Sequence, residues 1–574
     1  MKKLKTLALL LVIFSLQNVV AQTTPFSFNW NDKYQHTQTN GFSNEGRKVA
    51  VNPSNGFIYV LADVTSDLDP QGVASGTTYN YTMLLQYEPS GSLLNTAMLD
   101  VGIHSTSGFD RQSAFGLELD GSGNVYVGYN SNDDTTTFYN VNITKFSANL
   151  VQAWTYTFNP TSSDFGIDMK VNQTGTVYCL AKSIGVGGAV RYRIIRAAAA
   201  GSSALTYYNF TVTSDVYSSM AIDNVSNIYV AGHRPSNISG VGKVISVTSV
   251  IGTGASNGSV RWSQIDNCGT VTGDDIARHV IIGADGFVYI TGSSVGTAQH
   301  GVDAVTMKLS ATNGKKIWEN FINYTLTDGG FFVNVPDIAT VNVAWSSGSV
   351  VYLDQISPST GLFSRRASYV PIPATPYNSL GQTNIVAMAS SVGKNVYMTG
   401  TIAATNTSGQ SFDAAWLAKF NFSSRGGARV ENAAPIEGSF NQSKRAVGLA
   451  LDNASTNVYW IRDLAENHSN HLQEKVEISS MEGTGSFRQV TELNDEQTQD
   501  RIVFANPVSD VLQISSVDQM TRVQVLDISG KILLESTPTS NLQTLEAQQL
   551  PAGVYHVVVV HNDGFTTIKP FVKH

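Results

Sequence analysis

Two cysteines in 574 residues exclude a disulfide scaffold, which needs several bridges in a short exported chain. Charge is scarce as well: Asp, Glu, Lys and Arg make up 14%, against ~25% in an ordinary soluble domain. After residue 21 no stretch is long and apolar enough to cross a bilayer as a helix. Nucleophile elbows, P-loops, zinc-protease helices and paired CxxC motifs are missing. No local motif therefore announces a reaction, although a carboxylate pair assembled from distant loops stays open.

What is present in quantity is glycine, tyrosine and phenylalanine (49, 23 and 25 residues). Aromatic and β-branched residues suit strands, and the length calls for several domains or a repeat array. The first residues read MKKLKTLALLLVIFSLQNVVAQ. Three lysines, a short apolar run and small residues before Gln22 are the grammar of a secretory signal, with cleavage expected after Ala21. No cysteine follows the run, so a lipid anchor is not expected. Losing Lys2, Lys3 and Lys5 takes the formal net charge from -8 to -11, which argues against nucleic acid as a partner. Cys179 lies inside a strand-like segment, and both thiols are expected to be unpaired.

One hairpin recurs: VAVNPSNGFIYVLA (49–62), LELDGSGNVYVGY (117–129), MKVNQTGTVYCLA (169–181), MAIDNVSNIYVAG (220–232), VIIGADGFVYITG (280–292), VAMASSVGKNVYMTG (386–400) and LALDNASTNVYWI (449–461). Each is an apolar strand, a turn of Asn, Asp, Gly or Ser, and a strand centred on Tyr. The reference residues are Tyr59, Tyr126, Tyr178, Tyr229, Tyr289, Tyr397 and Tyr459, and the long gap before Tyr397 predicts a degenerate copy at 339–348. A second hairpin follows each, as in ITKFSANLVQAW (143–154) and VTMKLSATNGKKIW (305–318). Each unit thus holds four short strands. Such units cannot bury both sheet faces alone, and packing them radially predicts an all-β fold: a β-propeller of eight four-stranded blades, with seven as the alternative. The segment FSFNW (26–30) is a candidate outermost strand for the last blade, in competition with GSFRQV (485–490).

The hairpins resemble the "seven-bladed beta-propeller" repeat of bacterial exported proteins, most fully over Leu119 to Gly128. Behind an acidic linker at 491–500 the grammar changes. Residues 501–574 predict a small Ig-like antiparallel β-sandwich. They resemble the C-terminal sorting domain of type IX secretion substrates through Asn506-Pro507, Asp510 to Leu512, Asp527 with Gly530-Lys531, Ala552-Gly553-Val554-Tyr555 and Lys569 to Lys573. Ala505 stands where that family has the first residue of Pro-Asn-Pro. The resemblance implies a Gram-negative host, Sec export, type IX passage across the outer membrane, and removal of the sorting domain. Release or attachment to surface lipopolysaccharide would follow. The domains are therefore expected at 1–21, 22–490, 491–500 and 501–574.

Site candidates are few. Asp63, Asp67 and Asp69, and Asn132 with Asp133 and Asp134, come nearest to calcium ligands, against the ordinary alternative of solvated loops. Calcium is the one cofactor candidate. His468 and His471 lack a third metal ligand. SATNGKKIW resembles the tryptophan-docking motif of quinoprotein propellers, with outer-strand packing of Trp318 the better reading. Loops after the Tyr strands can converge on one face, and His233, Arg234, His300 and Trp460 are the ligand-contact candidates there. The expected role is a surface or secreted, non-catalytic module for adhesion or for binding a glycan or protein. An extracellular hydrolase or lyase, or a structural surface protein, are the alternatives.

Overall fold

The computed structural model describes residues 24–482 and 502–573. Within these spans it leaves out 26–27, 35–43, 69–73, 104–112, 133–137, 159–161, 202–205, 211–213, 239–240, 255–257, 269–272, 296–301, 323–328, 372–376, 391–394, 423–428, 434–441, 453–456, 469–470, 504–507, 509, 517–518, 527–531, 539 and 562–565. The described chain is all β and divides into two compact units, Met1–Gly485 and Ser486–His574.

The larger unit holds eight sheets among the described residues, numbered here in chain order. Their first strands are Asn44–Val51, Ser113–Leu119, Ser163–Val171, Val216–Ile222, Asp275–Ile282, Gly329–Asp337, Tyr377–Ser390 and Gln442–Leu451. Sheets 1 to 6 are plain antiparallel meanders of four strands. Sheet 7 adds Thr24–Pro25, paired parallel with Arg429–Ala433. Sheet 8 takes its fourth strand from the other end of the chain, Phe28–Tyr34 lying antiparallel to His471–Glu482. The expected closing segment is thus in place, whereas its competitor at 485–490 lies outside the described residues.

The repeated hairpin has a specific chemical cause. Asp120 Oδ1 accepts the backbone N–H groups of Ser122 and Asn124 at 2.9 and 3.0 Å, while Oδ2 accepts Asn124 Nδ2 and the Tyr126 hydroxyl at 2.8 and 3.0 Å. Asp223 repeats the set with Val225, Asn227 and Tyr229. The turn acid therefore caps the turn and fixes the first aromatic of the next strand. In sheet 6 the turn shortens to Asp337–Thr340, and Asn342 pairs with Gln355 in the register where Tyr126 pairs with Lys145. This is why that copy is degenerate.

Neighbouring sheets are locked by a second recurrent device. Trp154, Trp262 and Trp318 each donate an indole N–H to a carbonyl in the outer hairpin of the following sheet: Ala199 at 3.3 Å, Ala311 at 3.0 Å and Pro358 at 2.9 Å. The ring lies over a glycine in that hairpin, Gly201, Gly314 or Gly361, all at positive φ. Trp318 is thus packed from an outer strand. Tyr59 and Tyr178 do the same work in sheets 1 and 3, bonding Ala148 O and Gly252 O.

The first strands touch in one cycle, each contacting the next, and the strand of sheet 8 contacts that of sheet 1. The cores agree: Tyr459, Ile461 and Ile478 of sheet 8 pack with Ile58, Val60 and Tyr81 of sheet 1. Asp463 Oδ1 accepts the Gly46 N–H at 2.6 Å across the same seam.

The smaller unit carries a three-stranded and a four-stranded sheet around one core of Val508, Leu512, Ile514, Val523, Val525, Val557, Val559 and Phe571. Its strand Val511–Ser516 alternates exposed and buried residues, the pattern of a sheet with one wet face. Gly553 opens the strand Gly553–His561, where Tyr555 donates to Pro551 O at 2.8 Å. Lys573 is buried at the end of the last strand.

Candidate functional site at the axis

Every first strand carries a bulge at the same register, after Gly46, Ala114, Gly166, Tyr217, Ala277, Gly330, Ile385 and Ala446. A bulge frees a backbone N–H and re-aims the next side chain. The freed N–H is met from the preceding sheet, four residues after its reference tyrosine. Asp63 accepts from Ala114, Asn130 from Gly166, Thr401 from Ala446 and Asp463 from Gly46. Beyond the bulge a second set appears. Asp168 accepts the Met220 N–H at 2.9 Å, Ser219 Oγ that of Val280 at 3.2 Å, and His279 Nδ1 that of Val333 at 3.3 Å.

The first strands of sheets 1 and 5 to 8 line a half-open cavity of about 280 Å³. Its polar side chains are Lys48, His279 and Asn334, and its apolar wall includes Ile281, Phe332, Val386, Met388, Val447 and Leu449. Nearby on the first strands, Lys170 Nζ lies 3.0 Å from both Glu118 Oε1 and Asp168 Oδ1. Burial pushes the Asp168 carboxyl up, but Lys170 and Lys48 outweigh it and hold it below the ordinary value. Burial lowers Lys170, and Asp168 and Glu118 more than restore it, so its pKa is raised. His279 is brought down to about 4, first by burial, with Lys170 and Lys48 adding to it and Asp168 opposing. The ring is therefore neutral at pH 7, with Nδ1 as acceptor and the proton on Nε2.

The candidates drawn from sequence go elsewhere. Asp63 is buried, its carboxylate shared by Arg47 Nε at 2.6 Å, the Thr82 hydroxyl at 3.0 Å and Ala114 N, so it is spent on the bulge and an ion pair. Asp67 and Asn132 lie in strands, but their side chains, with Asp69, Asp133, Asp134 and His300, are outside the described residues. His233 holds the register position of Asp63, and burial followed by Lys243 lowers its pKa. Arg234 is ion-paired to the buried Asp215 at 2.5 Å. Trp460 is fully buried between sheets 7 and 8 with the Arg462 guanidinium 4.1 Å from its ring centre. It belongs to the core and not to a binding loop. His468 and His471 are register partners of the strands Asn457–His468 and His471–Glu482. Cys179 and Cys268 are free and buried. Asp266, Cys268 and Glu319 bring ligand atoms within 4.8 Å of one another, yet Lys316 Nζ already sits 2.9 Å from Asp266 and 2.7 Å from Glu319, an ion-pair cluster.

Sequence reasoning passed over Lys48, Glu118, Asp168, Lys170, His279 and Asn334. The signal was a charged or polar residue interrupting the apolar first strand of a unit, as in RKVAV, LEL, MKV and RHVII.

Residues 502–574 match the family described as "Secretion system C-terminal sorting domain". No curated protein matches the chain. Among solved structures, PorZ of Porphyromonas gingivalis, described as an essential bacterial surface component of the type-IX secretion system, aligns over 92% of this chain and 86% of its own at 11% identity and TM-score 0.21. The extracellular domain of BT4673 from B. thetaiotaomicron covers 92% and 81% at 11% identity and TM-score 0.26. Protein lmo1340 from Listeria monocytogenes covers 67% and 97% at 9% identity and TM-score 0.33. Similarity this low carries no argument about this chain. The sorting domain does: it addresses the protein to the type IX machinery, and hence to the cell surface or the outside. Asn506, Pro507, Asp527, Gly530 and Lys531 of its motif, like Ala21 and Gln22 of the signal, lie outside the described residues. No described helix is long and apolar enough to cross a membrane.

Proposed function

We propose that residues 22–490 are an eight-bladed β-propeller, exported through Sec and the type IX route, that binds a glycan or protein at the cell surface without turning it over. The observation that carries this reading is the state of the axial acids and imidazole. Asp168 is bound to Lys170 and Met220 N, Glu118 to Lys170, and His279 Nδ1 to Val333 N. A general acid or base must have a proton free to exchange with substrate, and these groups hold the ring together instead. Calcium has no part in this reading.

The test is a glycan and polysaccharide array probed with the full mature chain, scoring retained ligand and cleaved product together. Retention without cleavage is expected. Cleavage would overturn the non-catalytic reading in favour of an extracellular hydrolase or lyase. Silence on glycans and on surface-protein extracts alike would favour a structural surface role.

A further inference from the structure

The polar side chains of the axial cavity have one chemical character. Lys48 makes no hydrogen bond or ion pair among the described residues and offers three N–H donors. His279 uses Nδ1 to accept from Val333, which leaves only the Nε2 donor. Asn334 accepts the Ser390 hydroxyl on Oδ1 at 2.6 Å, which leaves its amide N–H groups. Both nearby acids are ion-paired to Lys170, and the Lys48 charge also acts on Asp168 without bonding to it. A lining dominated by donors, with only the second lone pair of Asn334 Oδ1 left to accept, suits a ligand made mainly of acceptors, and the ammonium favours one that is charged. The remaining wall is aliphatic and aromatic, from Ile281, Phe332, Val386, Ala387, Met388, Val447 and Leu449. At about 280 Å³, and with ~30 Å³ for each water-sized group, the cavity holds a molecule of about ten non-hydrogen atoms.

We propose that this cavity binds a small carboxylate with an apolar body, its charge on Lys48 and its body against the wall of sheets 5 to 8. The inference rests on the axis being the binding site and names what that site takes. Two sources share the chemistry, a free short-chain acid and the C-terminal residue of a peptide.

The experiment titrates the full mature chain by calorimetry with hexanoate, N-acetyl-leucine, 1-hexanol and inorganic phosphate. Either carboxylate binds saturably, and hexanol and phosphate bind at least tenfold more weakly. Preference between the two carboxylates identifies the source. Lys48→Met removes the charge at similar size, and Ala387→Leu narrows the apolar half. Each weakens carboxylate binding at least tenfold, with folding checked by circular dichroism. Carboxylate binding that survives Lys48→Met, or hexanol or phosphate binding as well as the acids, overturns the proposal. So does the absence of carboxylate binding to the parent chain. If glycan or protein capture persists while no carboxylate binds, only this inference fails. If hexanoate binds through Lys48 while the glycan array and the surface-protein extracts are both silent, the glycan or protein reading fails instead.

Discussion

At the scale of single residues, the recurring theme is a polar side chain committed to a backbone group in the next sheet, and His279 makes that commitment testable. Its Nδ1 accepts the Val333 N–H only while the ring is neutral. Burial is the main reason its pKa falls to about 4 from an unperturbed 6.5. The stability it contributes is fully present above about pH 6.5, where both folded and unfolded rings are neutral. It is lost as pH falls through about 4, because the unfolded ring takes up its proton first. The whole effect is at most about 3 kcal/mol. His279→Gln keeps a side-chain acceptor and has no titration, so denaturation midpoints measured from pH 7 to pH 4 will fall more steeply for the parent than for the variant. Parallel curves would refute the assignment. Sequence could not supply this role. In RHVII the histidine is one polar residue in an apolar strand, and only the cycle of first strands turns it inward. The reverse error befell Trp460 and His233, which follow the reference tyrosines closely enough to look like loop residues. In fact the strands continue through them, Asn227–Pro235 and Asn457–His468.

At the scale of the element, the unit is a hairpin that builds itself and a second hairpin that receives its neighbour. The first was readable, because Asp, Asn and Tyr at fixed offsets are the bonding partners themselves. The receiving glycine was not, since Gly314 in ATNGKK reads equally well as simple turn chemistry. A Cβ there would stand 2.5 Å from Trp262, at a φ of +73°. Gly314→Ala must therefore displace the indole and strain the turn, with a cost of about 1–3 kcal/mol in urea unfolding. Trp262→Phe loses the bond to Ala311 O and shrinks the ring. If the lock is real, the double variant is less destabilised than the two single losses together, since the alanine methyl then meets a smaller ring. Additive losses would show that glycine serves the turn alone. The bulges are the other element hidden from sequence: eight strands share them, yet no residue type marks the position, which holds Arg47, Ser218 and Val447 alike.

For the whole molecule, the number of units and the use of an N-terminal strand to finish the last one were legible from spacing, and the address for export from the last seventy-odd residues. The chemistry of the seam was not, because its partners lie more than four hundred residues apart. Asn31 in Phe28–Tyr34 donates to Glu477 Oε1 at 3.0 Å and accepts from Ser479 Oγ at 3.0 Å. Glu477 is buried with Lys444 at 2.8 Å and Arg462 at 3.3 Å, and burial notwithstanding, Arg462 and Lys444 hold its carboxyl below the usual range. Asn31, itself exposed, thus covers a buried charge cluster whose other members lie in strands from the far end of the chain. Removing one partner of such a network leaves donors and acceptors stranded, at about 1–3 kcal/mol. Asn31→Ala should cost this much, and it should act where the chain ends meet. Amide exchange will quicken in His471–Glu482 and in the adjoining Asn44–Val51, and stay unchanged in Asp275–Ile282 on the far side of the cycle and in Gly553–His561 of the sorting unit. Uniform acceleration across all eight sheets would mean that the larger unit opens as one cooperative body and has no preferred seam. No acceleration anywhere would mean that the closing strand adds nothing to stability.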